Sequence, residues 1–160
     1  MFSDERDVAL FFAGWRGFVD RADAVLAVHD LGRVHHRVLY VVTRRPGIGV
    51  GELARGLGIS RQALHRPLSE LRRRGLVHAV AAAHSARERT LTATAAGEAL
   101  EREATGPQLA HLEQVFAEAG PEAVRGWRQV MRGLAAAALS ESPETVRGLI
   151  EAEDRDDRSA

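Results

Sequence analysis

Cysteine is absent from the 160 residues, which excludes disulfides, thiolate metal sites and a thiol redox sensor, and fits a reducing compartment. The sequence also lacks a basic, apolar and small-residue succession at its start and any long uncharged run. Neither export nor a membrane span is indicated, and a cytoplasmic protein is expected. Aromatic residues are scarce, 5% against 45% apolar overall, so the core is expected to be helix-rich and built from Leu, Val and Ala. No GxSxG elbow, Gly-rich phosphate loop or HExxH pair occurs, and we expect no catalytic residue, no cofactor and no enzyme activity. Lysine is missing too. All 22 basic residues are arginine, whose planar fork suits guanine edges and phosphates.

The formal net charge is zero, but it is unevenly distributed. Between Gly32 and Thr90 stand 12 arginines against three acids, Glu52, Glu70 and Glu88, with histidines 35, 36, 65, 78 and 84 in addition. The flanks hold the other 10 arginines and 19 acids. A basic middle between acidic ends is the footprint of a nucleic-acid reader set into an acidic scaffold.

Apolar residues recurring every three or four positions predict a first helix from Asp4 to His29. Leu31-Gly32 interrupts it. A second, mostly buried helix over Val34 to Val42 stops at the Arg45-Pro46-Gly47 breaker. A third fits Val50 to Leu57, with a tight turn at Gly56 to Gly58. Ser60 then caps a fourth helix running to Arg74, which Gly75 ends. Leu76 to Val80 and Glu88 to Thr92 read as a hairpin around His84-Ser85-Ala86-Arg87. Thr94 caps a fifth helix, broken or bent at Gly106-Pro107. Gly120-Pro121 opens the sixth, where Val124, Trp127, Met131, Leu134 and Ala138 have the spacing either of helices that pair with one another or of an ordinary core stripe. A short helix around Pro143 to Ala152 and a disordered tail are expected to follow.

Two helices, a short glycine-containing turn, a basic helix, a hairpin and a further helix make a winged helix-turn-helix. Four segments carry a family resemblance: Gly51-Glu52-Leu53-Ala54, Leu57 to Leu64, Leu71 to Val77, and Leu91 to Gly97. They are similar to the corresponding segments of the MarR family of regulators, over roughly Leu31 to Leu100. The resemblance implies a bacterial, homodimeric transcriptional regulator that binds palindromic operator DNA, usually as a repressor, and that a small aromatic or lipophilic molecule can release. Many members carry an acidic residue two positions before the wing arginine. Here Ser85 precedes Arg87, and a hydroxyl cannot make that ion pair.

The fourth helix can be read without the family. At 100° per residue Leu64, Leu68 and Leu71 cluster on one side, and Gln62, His65, Arg66, Ser69 and Arg73 fall on the other. Gln can bridge adenine, Arg can fork onto guanine or grip phosphate, and His and Ser can bond either. Ser60 and its neighbouring amides, with Arg61 beside them, form a phosphate-binding helix start. Arg87, flanked by His84 and Arg89, suits a wing tip on phosphates or in a narrow minor groove. Pro67 stands on the core-facing margin. A continuous but locally bent helix is expected there, the bend setting the angle at which Gln62, His65 and Arg66 enter the groove. Two symmetric copies should address half-sites about 34 Å apart.

A small-molecule site is expected between the first, second and fifth helices. Phe12, Trp15, His35, His36 and Tyr40 are its candidates, together with Phe11 and Phe18; the competing reading is core and dimer interface. Adjacent His35 and His36 diverge on a helix and no cysteine is present, so no metal site is expected. The domain plan is therefore mainly α with a small β-hairpin wing. Residues 1–31 form an N-terminal dimerisation helix, 32–97 a winged helix-turn-helix DNA-binding domain, 98–141 C-terminal dimerisation helices, and 142–160 a short helix and acidic flexible tail. The function expected is a sequence-specific repressor of its own or a neighbouring operon. The alternative is a dimeric winged-helix interaction protein without sequence-specific DNA binding.

Overall fold

The computed structural model describes the backbone of residues 5–82 and 85–141 and, within these, the side chains of 5–81 and 89–136. The expected short helix and tail beyond residue 141 lie outside the described residues. In chain order the elements are α1 (Glu5–Val28), α2 (Arg33–Arg44), β1 (Ile48–Gly49), α3 (Val50–Leu57), α4 (Arg61–Arg73), β2 (Val77–Ala82), β3 (Ser85–Ala93), α5 (Ala95–Ala119) and α6 (Pro121–Glu141). The three strands form one antiparallel sheet in the order β1-β3-β2.

The hydrophobic core lies where α2, α3, α4, the sheet, the C-terminal half of α1 and the first half of α5 converge. Leu26, Val38, Leu39, Val42, Leu53, Leu64, Leu71, Val77 and Leu91 are its fully buried members. Each such side chain contributes on the order of 2 kcal/mol of burial, so every element of the winged unit is tied to the others by its own apolar stripe. The N-terminal half of α1 is different. Val8, Leu10, Phe11, Phe12 and Trp15 are exposed, as are Leu109 and Val115 on α5 and Trp127, Val130 and Leu134 on α6. Within the winged unit Val80 on β2 is the exposed large apolar residue among those described, so most of this surface lies outside it, and one that extensive is unusual for a chain that works alone.

Helix ends follow from local chemistry. Gly75, at φ +68°, closes α4: its N–H bonds the Arg72 carbonyl at 3.0 Å and the Leu76 N–H bonds that of Leu71 at 2.9 Å. This is a Schellman motif, which favours glycine because a Cβ is strained at positive φ. α1 ends in the same way with a non-glycine, Asp30 at φ +51°; its N–H reaches Ala27, and Leu31 reaches Leu26, at 3.1 and 3.0 Å. Thr94 caps α5 by accepting the Gly97 N–H at 3.0 Å. Gly97 has a second reason to be glycine. A Cβ there would stand 2.0 Å from the Leu76 carbonyl oxygen, so only glycine lets the start of α5 settle onto the base of the wing.

Three expectations need correction. Of the break or bend expected at Gly106-Pro107, the break is absent: α5 runs as one helix to Ala119. Pro107 withdraws one amide from the carbonyl of Glu103, and both residues lie on the exposed side, where water replaces the lost bond. The hairpin strands are longer than expected: β3 begins at Ser85, which pairs with Ala82, and includes Ala86 and Arg87 of the expected turn, with a register irregularity between Ala81 and Ala82. Finally, Ile48 and Gly49 form an unforeseen strand against Leu91 and Thr90.

Candidate nucleic-acid interface

The helix-turn-helix is α3, the turn at Gly58 to Ser60, and α4. α3 is fixed at its C-terminal end by Arg37, whose guanidinium donates to the Leu57 carbonyl at 2.6 Å. The Ser60 hydroxyl accepts the Ala63 N–H at 3.0 Å and so starts α4. Within α4 the periodicity is strict. Leu64, Leu68 and Leu71 are 0%, 7% and 0% exposed, while Arg61, Gln62, His65, Arg66 and Arg73 face outward and Ser69 is half-buried. Pro67 is also half-buried and does not interrupt the helix. The carbonyl it leaves without a helical partner belongs to Ala63, an exposed residue.

Not every arginine of α4 is equally disposed. Arg73 makes a fork on Glu70, with Nε at 3.1 Å and Nη2 at 2.7 Å, and Arg74 places its Nε on the same carboxylate. Hydrogen bonds from Arg73 and then Arg74 hold the Glu70 carboxyl at about 2, well below its ordinary 4.5. Arg61 lies over the start of α3, its guanidinium in the space that a side chain at Gly51 would fill. On the wing, Arg89 is exposed opposite Ala81. The side chains of His84 and Arg87 lie outside the described residues.

The MarR family pattern matches residues 29–88, the segment from the end of α1 into the wing. Over 126 residues the chain is 40% identical to the HTH-type transcriptional regulator PetP of Rhodobacter capsulatus, covering 79% of this chain and 75% of PetP. The chain belongs to the MarR family of transcriptional regulators. Solved MarR-type structures share its winged-helix fold at low identity. NadR, crystallised with 4-hydroxyphenylacetate, superposes with a TM-score of 0.69 at 19% identity, over 84% of this chain and 95% of NadR. A MepR variant from S. aureus bound to an oligodeoxyribonucleotide gives 0.56 at 18%, over 87% and 99%.

In this MarR-family chain the aromatic and histidine candidates are not brought to one place. Phe12 and Trp15 lie on the exposed face of α1, in ring contact with Phe11 and Phe18 respectively. His35 has α4 as its charged surroundings, namely Glu70, Arg74 and Arg66, and its Nδ1 accepts the Gly32 N–H at 3.0 Å. His36 faces α5 instead. Thr105 donates its hydroxyl hydrogen to Glu101 at 2.6 Å, so its oxygen must accept from His36 Nε2, 2.9 Å away. Burial lowers the pKa of both histidines below 6.5, and for His36 this outweighs the opposing carboxylate of Glu101. Tyr40 supports Arg44, whose guanidinium carbon stands 3.6 Å from the ring centroid.

The sequence reading missed a buried polar stripe on α5. Glu101, Thr105 and Gln108 are almost completely enclosed. Arg44 of α2 reaches Glu101 at 2.8 Å, and Gln108 donates to the Phe18 carbonyl of α1 at 3.2 Å. Their spacing of four and three, interleaved with Leu100 and Ala104, was the available signal. Polar identity hid it, because such residues are buried only when partners arrive from elsewhere. The Arg44–Glu101 bond joins the winged unit to α5, and the Gln108 bond joins α5 to α1.

Proposed function

We propose that the chain acts as a homodimeric, sequence-specific DNA-binding regulator in the cytoplasm, a repressor of its own or a neighbouring operon. The observation that carries this reading is α4: a capped helix whose leucines are wholly committed to the core and whose Gln62, His65 and Arg66 stand outward in one row. In the proposed complex α4 enters the major groove, Ser60 and Arg61 meet a phosphate at its start, and Ser69 and Arg73 follow the backbone. Arg89, with His84 and Arg87, forms the wing contact. The exposed apolar faces of α1, α5 and α6 are then the surface that a second copy covers, so that 1–31 and 98–141 serve dimerisation and 32–97 reads DNA.

Release by a small aromatic or lipophilic molecule is the second half of the proposal. Its support is the NadR complex with 4-hydroxyphenylacetate and the polar groups His36 and Thr105 at the junction of α2 and α5. Footprinting on DNA upstream of the chain's own gene, repeated with phenolic ligands, tests both parts. The expected result is a protected palindrome with half-sites about one helical turn apart, retained at physiological salt and lost when ligand is added. Binding that collapses steeply with salt and prefers no sequence would favour an interaction protein that has kept the winged fold.

A further inference from the structure

We propose that Arg74, oriented by Glu70, is a positioning residue that locks the end of the recognition helix to the end of α1 and so sets the half-site spacing two copies accept. The inference rests on the DNA-binding reading above.

The joint is specific. Arg74 caps α4, and its Nη1 donates to the carbonyl of His29, 45 residues earlier, at the C-terminal end of α1. That end carries a partial negative charge from the helix dipole, and the last turn of α1, Val25 to Val28, contains no basic residue of its own. The cation comes from α4. Glu70 holds Arg74 from the other side through Nε, so the guanidinium is fixed between a carboxylate and a helix end. The imidazole of His29 stands 3.8 Å from the carboxylate of Glu103, which brings α5 to the same joint.

Two adjacent arginines on one carboxylate therefore have different tasks. The Arg73 side chain is 70% exposed and available to DNA; that of Arg74 is 29% exposed and turned to the frame. The consequence is mechanical. α1 spans 24 residues, a rod of about 36 Å. Its far half carries Phe11, Phe12 and Trp15, the surface assigned above to the second copy. A recognition helix clamped to the near end inherits its position from the dimer. Loosening the clamp leaves each α4 able to read its half-site but no longer fixes the distance between two of them.

The test uses the full-length protein and its footprinted operator, together with operators one base pair longer or shorter at the centre. Wild type should prefer the native spacing strongly. In Arg74→Ala and in the milder Glu70→Gln that preference should fall about tenfold, the scale of one charge-assisted bond, with base preference inside each half-site unchanged. Arg74→Lys, which can still donate to the His29 carbonyl, should recover part of it. Arg73→Ala should instead weaken all spacings alike and reduce the salt slope by about one per protomer. If Arg74→Ala behaves like Arg73→Ala, Arg74 is a phosphate contact and the proposal fails. It also fails if Arg74→Ala and Glu70→Gln both keep the wild-type spacing preference. A wild-type protein that selects no operator overturns the DNA-binding reading itself, and this inference with it.

Discussion

Removing Arg44 should cost far more than neutralising the carboxylate it serves. Glu101 has a side chain 3% exposed, so without Arg44 its charge has, among the described residues, the Thr105 hydroxyl alone as a hydrogen-bond partner. Arg44 is 33% exposed, so without Glu101 it can turn to water. Breaking a buried pair from the side that strands a charge costs about 3–5 kcal/mol. With Thr105 still donating, Arg44→Met should lie near about 3 kcal/mol, the methionine preserving much of the packing on Tyr40. Glu101→Gln keeps an acceptor for both Arg44 and Thr105 and should cost about 1 kcal/mol. The double variant buries no charge and should also cost little more than about 1 kcal/mol, a coupling on the order of 2–3 kcal/mol. Urea unfolding at pH 7 measures this, with protein concentration held constant because dimerisation would otherwise shift the midpoint. Equal losses in the two single variants, or an additive double variant, would show that Glu101 is not the stranded charge assumed here.

Gly97→Ala should destabilise by about 2 kcal/mol, since the clash with the Leu76 carbonyl exceeds the roughly 1 kcal/mol gained in helix propensity; a rise in thermal midpoint would contradict the close approach. Stability should decline as pH falls below 6.5. His35 and His36 have lowered pKa values in the folded chain, so the unfolded chain binds more protons over the window between those values and 6.5, and the stability they lend above 6.5 is lost through it. His36→Gln, which can still donate to Thr105, should flatten that decline, and an unaltered slope would count against the assignment. Pro67→Ala should raise stability by about 1–3 kcal/mol by restoring an amide to the helix, and the functional proposal requires a changed operator preference. Affinity and base preference both equal to wild type would leave Pro67 without a role in recognition.

How far the sequence reveals this molecule depends on the range of the interaction concerned. Ser60, the leucine stripe of α4 and Gly75 act within a few residues of themselves, and all three were legible. β1 was not, because two residues carry no alternation; Ile48 and Gly49 become a strand only when Leu91 and Thr90 arrive beside them. The wing strands were placed too short since alanine says little about extended structure until a partner is paired. No local pattern records whether the carbonyl orphaned by Pro107 faces water, so the continuity of α5 could not be read either. The buried stripe of α5 required Arg44, 57 residues away, to make burial of Glu101 tolerable. Divergence of His35 and His36 followed from helical geometry, but not which one would meet α4 and which α5.

The same distinction corrects the most conspicuous signal in the sequence. Twelve arginines between Gly32 and Thr90 suggest a surface given over to phosphate. Five of them are engaged within the fold: Arg33 with Asp20 and Asp23, Arg37 with the Leu57 carbonyl, Arg44 with Glu101, Arg45 with Glu52, and Arg74 with Glu70 and His29. Arg55, Arg61, Arg66, Arg72 and Arg89 remain exposed, as does Arg73, whose fork on Glu70 leaves its side chain 70% exposed, and Arg87 is the twelfth. The proposed dimer can therefore offer DNA about 14 guanidinium groups rather than about 24, which bounds the slope of log K against log salt at about −13 where the full set would approach about −22. Some of the 14 must face bases or solvent, Arg66 above all, so the measured slope should be shallower still. Titrating operator affinity between 50 and 200 mM salt, on the order used for such slopes, decides the matter: a value near −20 would mean that the internal pairs open on binding and that these arginines are not framework.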